Sequence, residues 1–355
     1  MKVLMLGWEF PPYISGGLGT ACYGLTRGLD RLGVAITFVL PRPISALEPS
    51  HVKIVSSPTG ARAAELVSGI TRLRIRAVDA DLEPYARPDD VEPGLIETVK
   101  RRKLVPTEGA TAAPRRTTAG GGFSGPGEHY GGDLFAEVTR YAGAAEAIAG
   151  EEELDVVHAH DWMTYQAGIA AAQASGRPLV VHVHSTEFDR SGVHVNQRIY
   201  DIERAGMHAA TRIIAVSHLT RNIIVQHYGI DPAKVEVVYN AIEDDGNGQA
   251  SALPPITRND KIVLFLGRIT MQKGPEYFLA AARRVLEVMD NVRFVMAGSG
   301  DMARSMIELA AQMGIGHRVL FTGFLRGDDV RKVFRMADLY VMPSVSEPFG
   351  IAPLE

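Results

Sequence analysis

The chain has 355 residues, enough for two domains that each bury a core. Hydrophobic residues make up 46% and charged residues 22%, an ordinary globular balance, and the net charge of −4 (41 acids against 37 Lys plus Arg) argues against a nucleic-acid or other general polyanion binder. A single cysteine, Cys22, excludes an internal disulfide and an all-cysteine zinc site.

In chain order, a first buried strand is expected at Val3–Leu6, followed by a Pro-containing loop, the glycines of "GGLG" at Gly16–Gly19, and a helical pattern ending near Gly33. Glycines between a first strand and a first helix let the backbone come close to a ligand, often a phosphate at a helix N-terminus. The N-terminal apolar run is too short and too interrupted, by Glu9, for a signal peptide. No run approaches the roughly 20 apolar residues of a membrane span. The reading is cytoplasmic, and a peripheral contact with a membrane stays open.

Further strands are expected at Ala35–Leu40, Val156–His160, Leu179–His184, Arg212–Val216 and Val235–Tyr239. A second series follows at Ile262–Leu266, Val292–Ala297, Val319–Thr322 and Leu339–Met342. Amphipathic segments lie between them at Asp133–Ile148, Gln197–Ala209, Glu276–Met289 and Met302–Met313. β-Branched, unalternating strands interleaved with helices predict parallel sheets covered on both faces, an α/β fold. The Gly/Pro/Thr-rich segment 100–132 reads as a mobile loop, and the polar segment 243–260 as a linker between residues 1–242 and 261–355. Four strands are few for a doubly wound sheet, so the second domain is expected to be truncated at its C-terminus.

The glycines do not make a dinucleotide site. Gly17 and Gly19 fit G-x-G-x-x-G, but Cys22 holds the third position, and strand two runs into "PRP" with Arg42 and no acid. No Walker A motif is present. In "FLGRITMQKGPEYF", Arg268 and Lys273 leave the C-terminal edge of a strand beside a helix opening at Gly274-Pro275, a pocket suited to a diphosphate. In "PSVSEPFGIAPLE", Glu347 sits in a loop and Glu355 in the following helix, both able to accept hydrogen bonds from sugar or ribose hydroxyls. "VVHAHDW" ends a strand with His158, His160 and Asp161, and "VVHVHSTEFDR" ends the next with His182 and His184. Neither motif alone fixes three ligands, so no metal is expected. His158 and His182 read as satisfied core histidines, Asp161 and His184 as polar groups facing a sugar. "DAD" at Asp79–Asp81 has nothing around it to support a metal role.

Taken together, "GWEFPPYISGGLGT", "HAHDW", "GRITMQKG" and "EPFGIAPLE" resemble the retaining GT-B glycosyltransferases of the group that contains glycogen and starch synthases, with the N-terminal motifs nearest that branch. The resemblance implies two doubly wound Rossmann-like domains facing a cleft. It implies transfer of a hexose from a nucleoside-diphosphate sugar to a glycan or other hydroxyl acceptor, with no resident cofactor and no metal. Gly16 and Gly17 would approach the donor phosphate, and Asp161 the reaction centre. His184 would bind the transferred sugar, and Arg268 and Lys273 the diphosphate. Glu347, Phe349, Gly350 and Ile351 would contact the donor sugar or phosphate, Glu355 the ribose, and Gly323, Phe324 and Leu325 would lie by the base. The bacterial glycogen-type enzymes carry a Lys before the paired glycines, where this chain has Ile14–Ser15. The alternatives are a mannosyl- or glucosyltransferase of cell-surface polysaccharide or small-acceptor synthesis, and an inactive, truncated sugar-binding relic. An epimerase of the same fold is disfavoured by Arg268/Lys273 together with Glu347/Glu355.

Overall fold

The structure is a computed structural model and describes residues 1–10, 17–41, 52–56, 62–66, 72–78, 80, 82, 134–242, 260–325 and 328–354. The expected loop 100–132, linker residues 243–259, and Ile14, Ser15, Gly16, Arg42, Asp79, Asp81 and Glu355 lie outside the described residues.

Nine strands form the first sheet: β1 (Lys2–Leu6), β2 (Ala35–Leu40), β3 (Val52–Ser56), β4 (Arg62–Leu66), β5 (Leu73–Ala77), β6 (Val156–His160), β7 (Leu179–Val183), β8 (Arg212–Ala215) and β9 (Val235–Val237). Their order is β3-β4-β5-β2-β1-β6-β7-β8-β9. All pairs are parallel except β3–β4 and β4–β5, which are antiparallel. The second sheet has β10 (Lys261–Leu266), β11 (Val292–Ala297), β12 (Val319–Gly323) and β13 (Leu339–Tyr340) in the order β12-β11-β10-β13, all parallel.

Helices α1 (Gly17–Arg31), α2 (Leu134–Glu151), α3 (Trp162–Ser175), α4 (Glu187–Ser191), α5 (Gln197–Ala209) and α6 (His218–Tyr228) accompany the first sheet; α7 (Pro275–Leu286), α8 (Ala303–Gln312) and α9 (Asp328–Met336) accompany the second. Alternate residues of one strand serve opposite cores, as the period of two requires. Val3 and Met5 of β1 pack with Leu18 and Cys22 of α1, whereas Leu4 and Leu6 pack with Tyr141 of α2 and Met163 of α3. In β10, Phe265 joins Phe278 and Leu279 of α7, while Ile262 and Leu264 face Val333 and Phe334 of α9. Both sheets are therefore covered on two faces, as the apolar runs predicted.

Three strands were not foreseen. β5 reads LRIRA, and its alternating arginines conceal it from a search for apolar runs. Arg76 is buried there because Glu152 accepts from its Nη1 at 2.8 Å. The antiparallel β3–β4 edge corrects the expectation of parallel strands alone. The glycines also differ: Gly17 and Gly19 are the first turn of α1 rather than a loop ahead of it.

Topology places the ligand edge. In the first sheet the chain winds outward in one direction from β1 and in the other from β6; in the second, β10 and β13 form the same kind of divide. Ligands bind at the carboxyl ends of strands flanking such a reversal. Asp161 follows β6, Arg268 follows β10, and the Glu347 loop follows β13.

Candidate active site

The first-sheet half of the site is built at the ends of β6 and β7. Asp161 is 6% exposed and has φ 59° and ψ 170°, a region almost reserved for glycine. It is the one non-glycine with positive φ among the described residues. Its backbone N–H donates to the His182 carbonyl at 3.0 Å. Its Oδ1 accepts from the backbone N–H groups of His184 (2.8 Å) and Ser185 (3.3 Å), so the carboxylate holds the turn leaving β7. Burial pushes the Asp161 carboxyl up to about 6, against the opposing pull of Arg190, these amides and Arg268. Arg268 belongs to the second sheet, so its influence on Asp161 already spans the two halves.

His160 and His182 are register partners on β6 and β7, and strand alternation puts His158 and His184 on their face. The His158 and His160 rings are tilted against each other with centroids 4.3 Å apart, His182 and His184 stack at 4.2 Å, and His160 Nδ1 lies 3.0 Å from His184 Nε2. His158 and His182 are core residues as expected, but they are not satisfied. His158 Nε2 and both ring nitrogens of His182 are buried with no hydrogen-bond partner. Reading each motif alone could not show that β6 and β7 pool four histidines.

The second-sheet half is built from two turns fastened together. The backbone N–H groups of Val345 and Ser346 donate to the Gln272 carbonyl at 2.9 and 3.3 Å. Gly274 has φ 62°, and an added Cβ would lie 2.3 Å from the Pro343 carbonyl oxygen. Gly274→Ala is therefore expected to destabilise the protein by more than about 1 kcal/mol, from left-handed strain plus the clash, and to lower activity with it. A thermal melt and donor turnover check both; unchanged values would show that these turns can separate at no cost.

This fastening brings Lys273 and Glu347 together, Nζ to Oε2 at 2.5 Å, and Ser344 Oγ donates to the same oxygen at 2.9 Å. The two were expected to contact donor separately; here they are each other's partner. Burial lowers the Lys273 ammonium from its ordinary range, and Glu347 opposes that shift. Arg268 Nη2 lies 3.5 Å from Gln272 Oε1.

Contacts cross between the halves. Ser346 Oγ donates to Asp189 Oδ1 at 2.6 Å. A Cβ at Gly17 would lie 3.6 Å from Ile351 Cδ1, and the Phe349 ring centroid is 6.0 Å from that of Tyr239. Gly350 carries φ 82° beside Glu347. Gly17 thus lies against the segment that carries Phe349, Gly350 and Ile351. Gly323 ends β12, and its carbonyl accepts from Gly298 N–H at 2.9 Å; Phe324 is half-buried; Leu325 packs into the second-sheet core with Ile262 and Val295, so its side chain is structural. The expected helix after Glu347 is a short 3-10 turn, Ala352–Leu354.

Sequence reasoning missed Asp189, Arg190, Glu187, Glu203 and Ser346. The available signal was "TEFD": Thr186 caps α4, and Asp189 Oδ2 accepts from the Thr186 N–H and Oγ1, both at 2.7 Å. Arg190 bridges the buried carboxylates of Glu187 (Nε to Oε2, 3.2 Å) and Glu203. Tyr228 O–H also donates to Glu203. Burial outweighs the nearby guanidinium and raises the Glu203 carboxyl to about 7. A carboxyl whose folded value lies above its unfolded one binds more protons when folded, so this contribution is present below about 4.5 and is lost as pH rises to about 7, on the order of 3 kcal/mol in all. Glu203→Gln is expected to remove it. Urea unfolding at pH 5 and pH 7.5 checks this: the wild type should lose stability relative to the variant, and parallel curves would contradict it.

Two doubly wound parallel sheets whose reversal points face one another, with cations on one side and a buried carboxylate on the other, define the GT-B class of glycosyltransferases. Residues 251–355 match the family described as Glycosyl transferases group 1, residues 107–245 match Glycosyltransferase Family 4, and residues 2–86 match Starch synthase catalytic domain. The chain is similar to the group 1 glycosyltransferases and, among them, to the glycogen and starch synthase branch. It is 28% identical, over 100% of its length and 77% of the relative, to an uncharacterized glycosyltransferase of Methanocaldococcus jannaschii. It is 26% identical, over 100% of its length and 75% of the relative, to a glycogen synthase of Mycobacterium tuberculosis. Among solved structures, the catalytic domain of starch synthase IV from Arabidopsis thaliana, bound to ADP and acarbose, superposes with TM-score 0.64 at 16% identity, covering 99% of this chain and 80% of that one. Among the described residues, no helix is long and apolar enough to cross a membrane.

Proposed function

We propose that the chain transfers a hexose from a nucleoside-diphosphate sugar to a glycan or other hydroxyl acceptor, with the anomeric configuration retained. The observation that carries this reading is the convergence of Arg268 and the Lys273–Glu347 pair, from the second sheet, on the side facing Asp161 and His184. Two cations beside the N-terminus of α7 suit a diphosphate, and a carboxylate already paired to one of them suits a sugar hydroxyl next to that diphosphate. The ADP bound to the starch synthase neighbour and the similarity to a mycobacterial glycogen synthase agree with it.

In the proposed reaction the acceptor oxygen bonds to the anomeric carbon on the face that the diphosphate leaves. The bond from that carbon to the phosphate oxygen breaks, and the acceptor proton passes to the departing phosphate. The protein contributes positioning and charge stabilisation. Arg268 and Lys273 carry the negative charge that develops on the diphosphate, with no cofactor at that position. Asp161 works through the turn it holds, which presents His184 toward the sugar. Segment 243–260 would link the acceptor-side unit 1–242 to the donor-side unit 261–355.

The test is a panel of UDP-, ADP- and GDP-hexoses with maltooligosaccharides and small polyols, read as nucleoside diphosphate released together with a new glycoside. One donor should be turned over with acceptor-dependent product. Binding of a nucleoside diphosphate without transfer from any donor would point to the sugar-binding relic.

A further inference from the structure

The four histidines at the ends of β6 and β7 have a feature that the transfer reaction does not use. One ring nitrogen from each of His158, His160 and His182 can be chosen so that all three lie within 4.8 Å of one another. All three side chains are buried. Four of their ring nitrogens, Nε2 of His158, Nε2 of His160 and both of His182, have no hydrogen-bond partner. Buried polar atoms are almost always paired, and four orphans within one histidine cluster require an explanation. Stacking alone does not supply one, because phenylalanine would stack without the desolvation cost.

The remaining nitrogen of His160 completes the pattern. Its Nδ1 is 3.0 Å from His184 Nε2. With the proton on His160 Nδ1 and donated to His184, His160 Nε2 carries a free lone pair. This is the arrangement of a metal-bound imidazole whose second nitrogen is held by an outer partner.

We infer that His158, His160 and His182 together bind one divalent transition-metal ion, zinc by ligand type, beneath the floor of the cleft. Three neutral imidazoles with a fourth position open is a ligand set zinc accepts. A second group, Cys22 with His160 and His184, also falls within 4.8 Å. It is the weaker candidate: His184 Nε2 is engaged by His160, and burial, followed by the negative charges of Asp161 and Glu9, opposes a thiolate at Cys22. The ion would not touch the donor. It would fix the His160 ring and, through Nδ1, the orientation of His184. Metal binding can be read without turnover, so its test does not depend on the proposed transfer reaction.

The purified full chain is stripped with chelator, and Zn(II) is titrated by calorimetry with elemental analysis of the dialysed product. About one equivalent should be retained, and added Zn(II) should raise the melting temperature, because a ligand bound only by the folded state stabilises it. His182→Asn should weaken uptake by more than about 100-fold, beyond the roughly 10- to 100-fold loss typical of an outer partner, and Cys22→Ser should leave it unchanged. His158→Asn is the second ligand variant, and circular dichroism of each confirms folding. No retained zinc in the folded wild type overturns the inference. Equal retention by wild type and both ligand variants shows an adventitious ion only. Loss in Cys22→Ser with retention in His182→Asn moves the ion to the other group and overturns the assignment.

Discussion

Lys273→Ala is expected to lower kcat by about 100- to 1,000-fold, the typical effect of deleting one group aimed at charge that develops in a transition state. The structure adds a reason why this loss is specific. Lys273 is largely buried and lies 2.5 Å from Glu347, so its charge acts in a medium less screening than water. Removing it also leaves Glu347 with Ser344 alone, a carboxylate facing an incoming diphosphate with nothing to offset the repulsion. Both effects fall on donor binding and on the chemical step, so kcat/KM should fall further than kcat. Lys273→Arg keeps the charge and should recover part of the rate. Glu347→Gln keeps the lysine and should affect KM for donor more than the Lys273 variant affects folding. Steady-state kinetics on the preferred donor, with circular dichroism as a folding control, measure this. An unchanged kcat in Lys273→Ala would remove the residue from the proposed role.

Arg190→Met should cost about 3–5 kcal/mol of stability, the range expected when one partner of a buried ionic group is deleted. Glu187 is 0% exposed and Glu203 1% exposed, and Arg190 is the cation between them. Glu187 would keep Ser191 Oγ (2.6 Å) and Asn196 N–H (3.1 Å), both on Oε1, while Oε2 would lose the Arg190 hydrogen bond together with the countercharge. Arg190 Nη1 also donates to Ser185 Oγ at 2.8 Å, beside the turn that Asp161 holds. The variant should therefore lose the geometry of His184 and Asp189 along with stability. Urea unfolding at pH 7 reads the first effect and donor kinetics the second. A loss below about 1 kcal/mol would mean that water reaches these carboxylates in the native state.

The parts legible in the sequence were those with an unambiguous local signal. β1, β2, β6, β7, β10 and β11 are short segments rich in apolar residues, and all appear within a residue of expectation. β5 was hidden because Arg74 and Arg76 interrupt its pattern, and the buried Arg76 is matched by the distant Glu152, just past the end of α2, with Glu151 beside it. α3 has no amphipathic period because it is apolar nearly all round, packed between the sheet and α2. At the site, the kinds of residue were legible and their pairings were not. Lys273 and Glu347 are 74 positions apart and meet because Gly274 and Gln272 clamp the two turns. The histidine cluster follows from the β6–β7 register, which no single motif contains. The backbone strain at Asp161 has no sequence signature at all.

The central claim is that the acceptor attacks from the face the diphosphate leaves, with Arg268 and Lys273 holding that diphosphate and no enzyme nucleophile. The most direct measurement is the anomeric configuration of the first product, read by proton NMR immediately after turnover of the preferred α-linked donor. An α-linked product is the predicted result. A β-linked product would contradict it, and would require an acceptor approaching from the side opposite the second sheet's cations.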